Sequence, residues 1–219
     1  MLSLRHLLSS VHLTVVLAVV IMGVISGVMG IPHPPSEAAQ RQKASDLIRA
    51  AETGELEIVP GPGLPSLASL NLTSRDLVVR ALERLERFKL ELAEEDDNSN
   101  ALTKRYNPTC DYWGVSLNID YAWFCYEYLH SIGSTTCAVP SWGSRFCHTV
   151  SGSGDVAWSG SVNGVSYTQS SCADVANGGV WVLNNCHYYI IGTAGWYYQM
   201  QGTNAAWGNE NLIVSVHAM

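Results

Sequence analysis

The chain has 219 residues, a formal charge of −7 and 6 cysteines. That length allows one or two domains, and the acidic balance argues against non-specific nucleic-acid binding, which needs cations to neutralise phosphates. Charge and aromatic content are also divided sharply along the chain, and the division falls at Lys104-Arg105.

All six cysteines (Cys110, Cys125, Cys137, Cys147, Cys172 and Cys186) lie after that pair, as do the 7 Trp and 10 Tyr residues. Of the 12 Lys and Arg residues, only Arg145 does. A composition break at a dibasic dipeptide reads as a processing boundary for a kexin-type protease; the plainer alternative is a Lys-Arg pair on a solvated linker.

Residues 1–30 open with Arg5 and His6, continue through an apolar run from Val11 to Val28, and end on small residues at Gly27 and Gly30. This is the layout of a signal peptide. An uncleaved signal-anchor is the rival, because the run approaches bilayer length. Cleavage would leave a secreted, extracellular protein with no stable membrane association.

Residues 31–105 contain no Cys, Trp or Tyr and read as a mostly helical pro-segment. Helical patches are expected near Glu37–Ala51 and Ser74–Glu95, separated by Pro60-Gly61-Pro62-Gly63. Val78, Ala81, Leu82, Leu85, Phe88 and Leu92 form one apolar stripe at helical spacing. Thr73 and Asp76 have the spacing of a capping box. Asn71-Leu72-Thr73 is an N-glycosylation sequon. The acidic run Glu94–Asp97 should keep the dibasic pair accessible. The segment reads as a shield or folding aid for the C-terminal half of the chain, or as a tolerated spacer.

Residues 106–219 read as the mature cysteine-rich domain, with six acidic side chains against Arg145. An extended stretch is expected at Tyr112–Leu117 and a helix at about Tyr121–Ser131, N-capped by Asp120 and turning Phe124, Cys125, Tyr128 and Leu129 inward. Strands are expected over Arg145–Val150 and Val156–Val162. Asn163-Gly164 signals a two-residue hairpin into Val165–Thr168. Ser171 and Asp174 predict a second capping box, opening a helix through about Leu183. Gly178-Gly179 weakens that helix unless it packs closely on a sheet. Further strands are expected at Tyr189–Ile191, Trp196–Met200 and Leu212–Val216. The fold class is α+β, with two helices packed on an antiparallel sheet as an α/β sandwich stabilised by disulfides.

Six cysteines behind a signal sequence read as three disulfides formed in an oxidising compartment. Fifteen pairings are possible. Cys172 and Cys186 would sit at opposite ends of the second helix, roughly 20 Å apart at about 1.5 Å per residue. A disulfide needs Cα atoms within about 7 Å, so these two should each tie a helix end to another element. No C-x-x-C spacing suggests a metal site, and no cofactor is implied.

For chemistry, Glu127 and His130 are i, i+3 on one helix, and Arg145 and His148 are close in sequence. With His187, such a set could serve acid–base cleavage of RNA in a small secreted hydrolase, provided that the side chains converge. No hydrolase, zinc-protease or phosphate-loop motif occurs, and no residue is assigned as catalytic. Seven tryptophans exceed what a core of this size needs, so some are candidates for an exposed surface that meets glycan or protein.

The stretch Ser171-Cys172-Ala173-Asp174-Val175-Ala176 through Asn185-Cys186, followed by Ala206-Trp207-Gly208-Asn209-Glu210-Asn211-Leu212-Ile213-Val214, resembles small secreted cysteine-rich proteins of filamentous fungi. Its layout is also similar to the killer toxins of smut fungi. That resemblance implies a disulfide-bonded α/β sandwich that acts on a surface target, calcium channels in the case of the toxins; the broader group includes effectors that provoke necrosis in plants. The chain has fewer cysteines than the toxins and lacks the basic residues on which their activity depends. The function expected is a secreted effector or toxin-like protein that binds a host or competitor surface molecule without catalysis. A small ribonuclease-type hydrolase is the alternative, and a cell-wall structural protein is a third reading.

Overall fold

A computed structural model describes residues 36–92, 106–189 and 197–219. The leader, the dibasic pair Lys104-Arg105 and the acidic run before it lie outside the described residues, as does most of the strand expected at Tyr189–Ile191.

The N-terminal segment forms helix α1 (Glu37–Thr53), strand β1 (Glu57–Pro60), a short 3-10 turn (Ala68–Leu70) and helix α2 (Ser74–Leu92). The capping box forms as expected: Thr73 N donates to the Asp76 carboxylate at 2.8 Å and Asp76 N donates back to Thr73 Oγ1 at 3.2 Å. The Thr73 hydroxyl, which donates to the Asp76 carboxylate at 2.7 Å, and then the Thr73 N–H hold that carboxyl below its ordinary range. Asn71 of the sequon is exposed, in left-handed backbone at the end of the 3-10 turn.

The cysteine-rich part contributes strand β2 (Thr109–Ser116), helix α3 (Ile119–Ser131), and strands β3 (Thr136–Pro140), β4 (Ser144–Val150), β5 (Val156–Val162) and β6 (Tyr167–Ser171). Helix α4 (Cys172–Asn185) and strands β7 (His187–Tyr189), β8 (Tyr197–Ala206) and β9 (Asn209–Ala218) complete it. The architecture is α+β. The main sheet runs β1-β4-β5-β9-β8-β2, with antiparallel pairing at every step and β7 paired to β8. Strands β3 and β6 form a separate two-stranded ribbon.

Alternation along β5 and β9 sorts the sheet into two faces. Trp158, Val214 and Val216 are buried toward the helices, and the Trp158 indole donates to Ala122 O of α3 at 3.1 Å. Ser159, Ser215 and His217 face the other way.

The α3 helix starts two residues before the expected position. Asn118 is its N-cap and Asp120 lies in its first turn, with its carboxylate engaged elsewhere. Asn163-Gly164 does not close a hairpin. Strand β5 is already bordered by β4 and β9, so the chain leaves the sheet and β6 pairs with β3. Asn163 N instead donates to Asn211 O of β9. The Ser171–Asp174 capping box of α4 forms as read, with Asp174 N donating to Ser171 Oγ at 3.0 Å.

All six cysteines pair. Cys125–Cys147 joins α3 to β4, while Cys137–Cys172 and Cys110–Cys186 tie the two ends of α4 to β3 and β2. Each bridge stabilises by on the order of 2–4 kcal/mol, through the unfolded chain as much as the folded one.

The glycine pair in α4 marks the tightest helix–sheet approach. A Cβ on Gly178 would lie 2.4 Å from Ala205 O of β8, and one on Gly179 would lie 2.1 Å from the Trp158 ring. Gly178→Ala and Gly179→Ala should each destabilise by about 1–3 kcal/mol through overpacking, while Asn177→Ala, on the exposed face of the same turn, should not. Thermal denaturation of the three variants checks this.

Candidate functional site: the α3 flank, the open sheet face and an aromatic patch

The N-terminal segment and the cysteine-rich part share one core. Leu56, Ile58, Leu77, Val78 and Ala81 are fully buried together with Phe124, Tyr128 and Leu129 of α3. Strand β1 completes the edge of the sheet by pairing residue for residue with β4, from Glu57↔Val150 to Pro60↔Cys147. The next residue continues the pairing: Gly61 N donates to Phe146 O at 2.7 Å. Only glycine fits there, because a Cβ would fall 1.7 Å from Arg145 O. The Tyr128 hydroxyl donates to Pro65 O at 2.7 Å, and its burial pushes its pKa up to about 12. Leu77 also belongs to the buried stripe of α2, beside Val78 and Ala81.

Two carboxylates on α3 are nearly buried, Asp120 at 8 % and Glu127 at 5 % exposure. Both are paired by cations of the N-terminal segment. Lys43 of α1 meets Asp120 at 2.5 Å, and Arg84 of α2 donates through Nε to Glu127. The Arg84 guanidinium also lies over the Tyr126 ring, 4.7 Å from its centroid. Tyr126 in turn stacks on His130 at 5.5 Å and meets Trp123 edge-on at 5.2 Å. Burial works against the charge of Arg84, but the hydrogen bond and attraction of Glu127 hold its pKa above the ordinary value. Burial raises the Tyr126 phenol, with Arg84 opposing.

The side chains considered for acid–base chemistry are therefore divided between surfaces. Glu127 faces Arg84, and His130 is exposed on α3 beside Tyr126. Arg145 and His148 are on β4, opposite Ser159 and Ala157 of β5, on the sheet face turned away from α3. His187 lies on β7, paired with Gln199. Among the described residues no group of three or more His, Cys, Asp or Glu side chains could hold a metal ion.

The open sheet face carries an arrangement that sequence reading missed. Thr109, Thr203, Ser215, Ser159 and Arg145 stand in register across five strands. All but Arg145 line a shallow concavity of about 600 Å3. Ser159 Oγ and His217 Nε2 share a hydrogen bond of 3.0 Å, and His217 Nδ1 is 2.9 Å from Ala218 O. The alternation of small polar residues in Ala157-Trp158-Ser159-Gly160-Ser161 is the signal that could have revealed this face. The Asp111 carboxylate accepts from Gln201 at 2.8 Å and the Tyr106 hydroxyl bonds Thr203 at 2.8 Å at its margin.

A third surface is aromatic. Trp123 and Trp158 are core residues, but Trp142, Tyr167 and Trp207 are exposed around the β3–β6 ribbon and the β8–β9 turn. A second concavity of about 600 Å3 lies at Trp207, lined by Gln169, Ser170, Asp174 and Asn209. The Tyr167 hydroxyl donates to Gln169 Oε1 at 2.8 Å and Trp207 N to Asp174 O at 3.0 Å, which fixes both to that rim.

Removing Arg84 would leave Glu127 buried without its cation. Arg84→Ala should destabilise by about 2–3 kcal/mol, less than for a fully buried pair because Arg84 is about a third exposed. Arg84→Ala combined with Glu127→Gln should recover part of the loss; urea midpoints of both variants measure it.

His148 gives a pH dependence. Its pKa lies below the ordinary 6.5 because of burial first and Arg145 second, with Asp155 opposing, and its Nδ1 is buried without a hydrogen-bond partner. The unfolded chain therefore takes up the proton first. Stability is full above about pH 6.5 and falls as pH drops below it. His148→Gln should flatten the decline in melting temperature between pH 7 and 5.5, a window above the carboxylate range.

No curated protein and no solved structure matches the chain. A family model described as Domain of unknown function (DUF8794) matches residues 105–218, beginning at the second residue of the dibasic pair and taking in every disulfide. With more than half its length matched, the chain belongs to that family.

Proposed function

We propose that the chain is a precursor whose family domain, freed by cleavage after Arg105, is secreted and binds a surface molecule of a host or competitor cell without catalysis. Three disulfides fit a protein that folds in an oxidising compartment. Among the described residues no helix is long and apolar enough to cross a membrane.

One observation carries the binding reading. Trp142, Trp207 and Tyr167 are 86 %, 63 % and 54 % exposed, on a domain that buries most of its other described apolar side chains. Large rigid aromatics held in water by a disulfide-braced ribbon are suited to recognition, because little conformational freedom is lost when they are covered. The polar rim of Gln169, Ser170, Asp174 and Asn209 beside Trp207 suits a polyhydroxylated ligand: the ring takes the apolar face of a sugar and the rim takes its hydroxyls. A cell-wall or cell-surface glycan is the target class that this surface favours. The toxin-like layout of the Ser171–Val214 region is consistent with a surface target, while the division of Glu127, His130, Arg145, His148 and His187 between surfaces weighs against the ribonuclease alternative.

The purified secreted protein should bind fungal or plant cells, or their insoluble wall polysaccharides, at micromolar concentration. Trp207→Ala and Tyr167→Ala should weaken that binding at least about tenfold with unchanged melting temperature. Absence of binding by the parent protein, or equal binding by both variants, would remove this reading.

A further inference from the structure

Residues 106–219 contain one Lys or Arg, Arg145, and it faces away from α3. Asp120 and Glu127 are seven residues apart on α3, two turns along one face and roughly 10 Å from each other. In the intact chain both are seated by cations from the other side of the dibasic boundary, Lys43 and Arg84. The domain alone has no Lys or Arg side chain to replace them.

The Glu127 seat is shaped for a guanidinium. A carboxylate grips it, an aromatic ring lies beneath it, and the ring is itself backed by His130 and Trp123. Arginine suits this geometry better than lysine, because the planar group can stack and hydrogen-bond at once. The Arg84 that fills the seat is presented by helix α2, whose Leu77, Val78 and Ala81 are buried in one core with Phe124, Tyr128 and Leu129 of α3. An amphipathic helix laid with its apolar side against a partner is a recurring mode of peptide recognition.

We propose that the side of α3 carrying Glu127 is a binding face for a helical polypeptide segment carrying an arginine, and that helix α2 is its internal pseudo-ligand. The occupant is a partner protein presenting such a segment. Masking is strongest while the chain is intact, because the tethered segment competes at an effective concentration on the order of millimolar. Cleavage abolishes that advantage, and at nanomolar concentrations a partner can take its place. A vacated flank would expose apolar surface of α3 as well as unpaired carboxylates, which favours its being covered again. The release step rests on the proposed processing at Lys104-Arg105, whereas the complementarity of the face does not.

The test uses the purified chain, intact or cut in vitro at Lys104-Arg105 with a kexin-type protease, against a displayed library of amphipathic helical peptides. The cut protein should select peptides enriched in arginine, a synthetic peptide of residues 74–92 should compete with them, and the intact protein should bind them at least about tenfold more weakly. Glu127→Gln should weaken the selected peptide by about thirtyfold. Arg84→Gln in the intact chain should unmask binding, an effect that loss of folding would not mimic. Equal binding by cut and intact protein, no effect of Glu127→Gln, two chains that remain one particle at nanomolar concentration, or precipitation of 106–219 as the segment leaves would each overturn the proposal. Secreted protein that begins upstream of Tyr106 would instead remove the processing reading and leave this binding test standing.

Discussion

Between Ile119 and Ser131 nine of the thirteen side chains are apolar or aromatic, and nine are buried, Asp120 and Glu127 among them. A helix with that composition must be covered on all sides, and the rest of the structure supplies the cover. The sheet takes one side, anchored by Cys125–Cys147 and by the Trp158 indole on Ala122 O. Helix α2 and the Pro65 carbonyl meet the side that carries Glu127 and Tyr128. The N-terminal segment is thus a layer of the fold, a role that the reading of it as a spacer does not provide for. Its cations stand where α3 places carboxylates, so burial and charge pairing satisfy the same boundary.

What could be read from the sequence was local or imposed by strong geometry. The Thr73–Asp76 and Ser171–Asp174 boxes are three-residue patterns whose bonds form within their own turn. The cysteine argument needed only the length of a helix: Cys172 and Cys186 cap opposite ends of α4 and bond different strands. The glycine pair was legible for the same reason, since small residues inside a helix need a close neighbour to justify them, and Ala205 and Trp158 are that neighbour.

What could not be read depended on partners far away in sequence. Glu57-Ile58-Val59-Pro60 is four residues long and ends in proline, too short for a period-two signal, and its partner β4 lies some ninety residues on. Asn163-Gly164 is a strong local hairpin cue, yet β5 had no free edge to offer the returning chain. On α3, spacing cannot distinguish an inner face when most positions are apolar, so choosing Phe124, Cys125, Tyr128 and Leu129 as the inner set hid the second covered side. Of the candidate surfaces, the tryptophan excess announced the aromatic patch in kind but not in place. The hydroxyl row of the open face depends on the register of four strands, which no single segment reveals.

The way each part is fastened bears on how it can be controlled. All three disulfides lie within residues 106–219, and one of them, Cys125–Cys147, joins α3 to β4, the two elements to which the N-terminal segment is attached. That attachment consists of one short strand pairing, a shared apolar core and two cross-boundary ion pairs, all reversible. The chain thus locks one half covalently and holds the other by exchangeable contacts. The charge division follows the same boundary: eleven of the 12 cationic Lys and Arg side chains precede Tyr106, so separating the halves also separates Glu127 and Asp120 from the cations that neutralise them. A peptide-bond cut in the linker would therefore alter the electrostatics of α3 more than its backbone, which is the property a masked recognition surface requires.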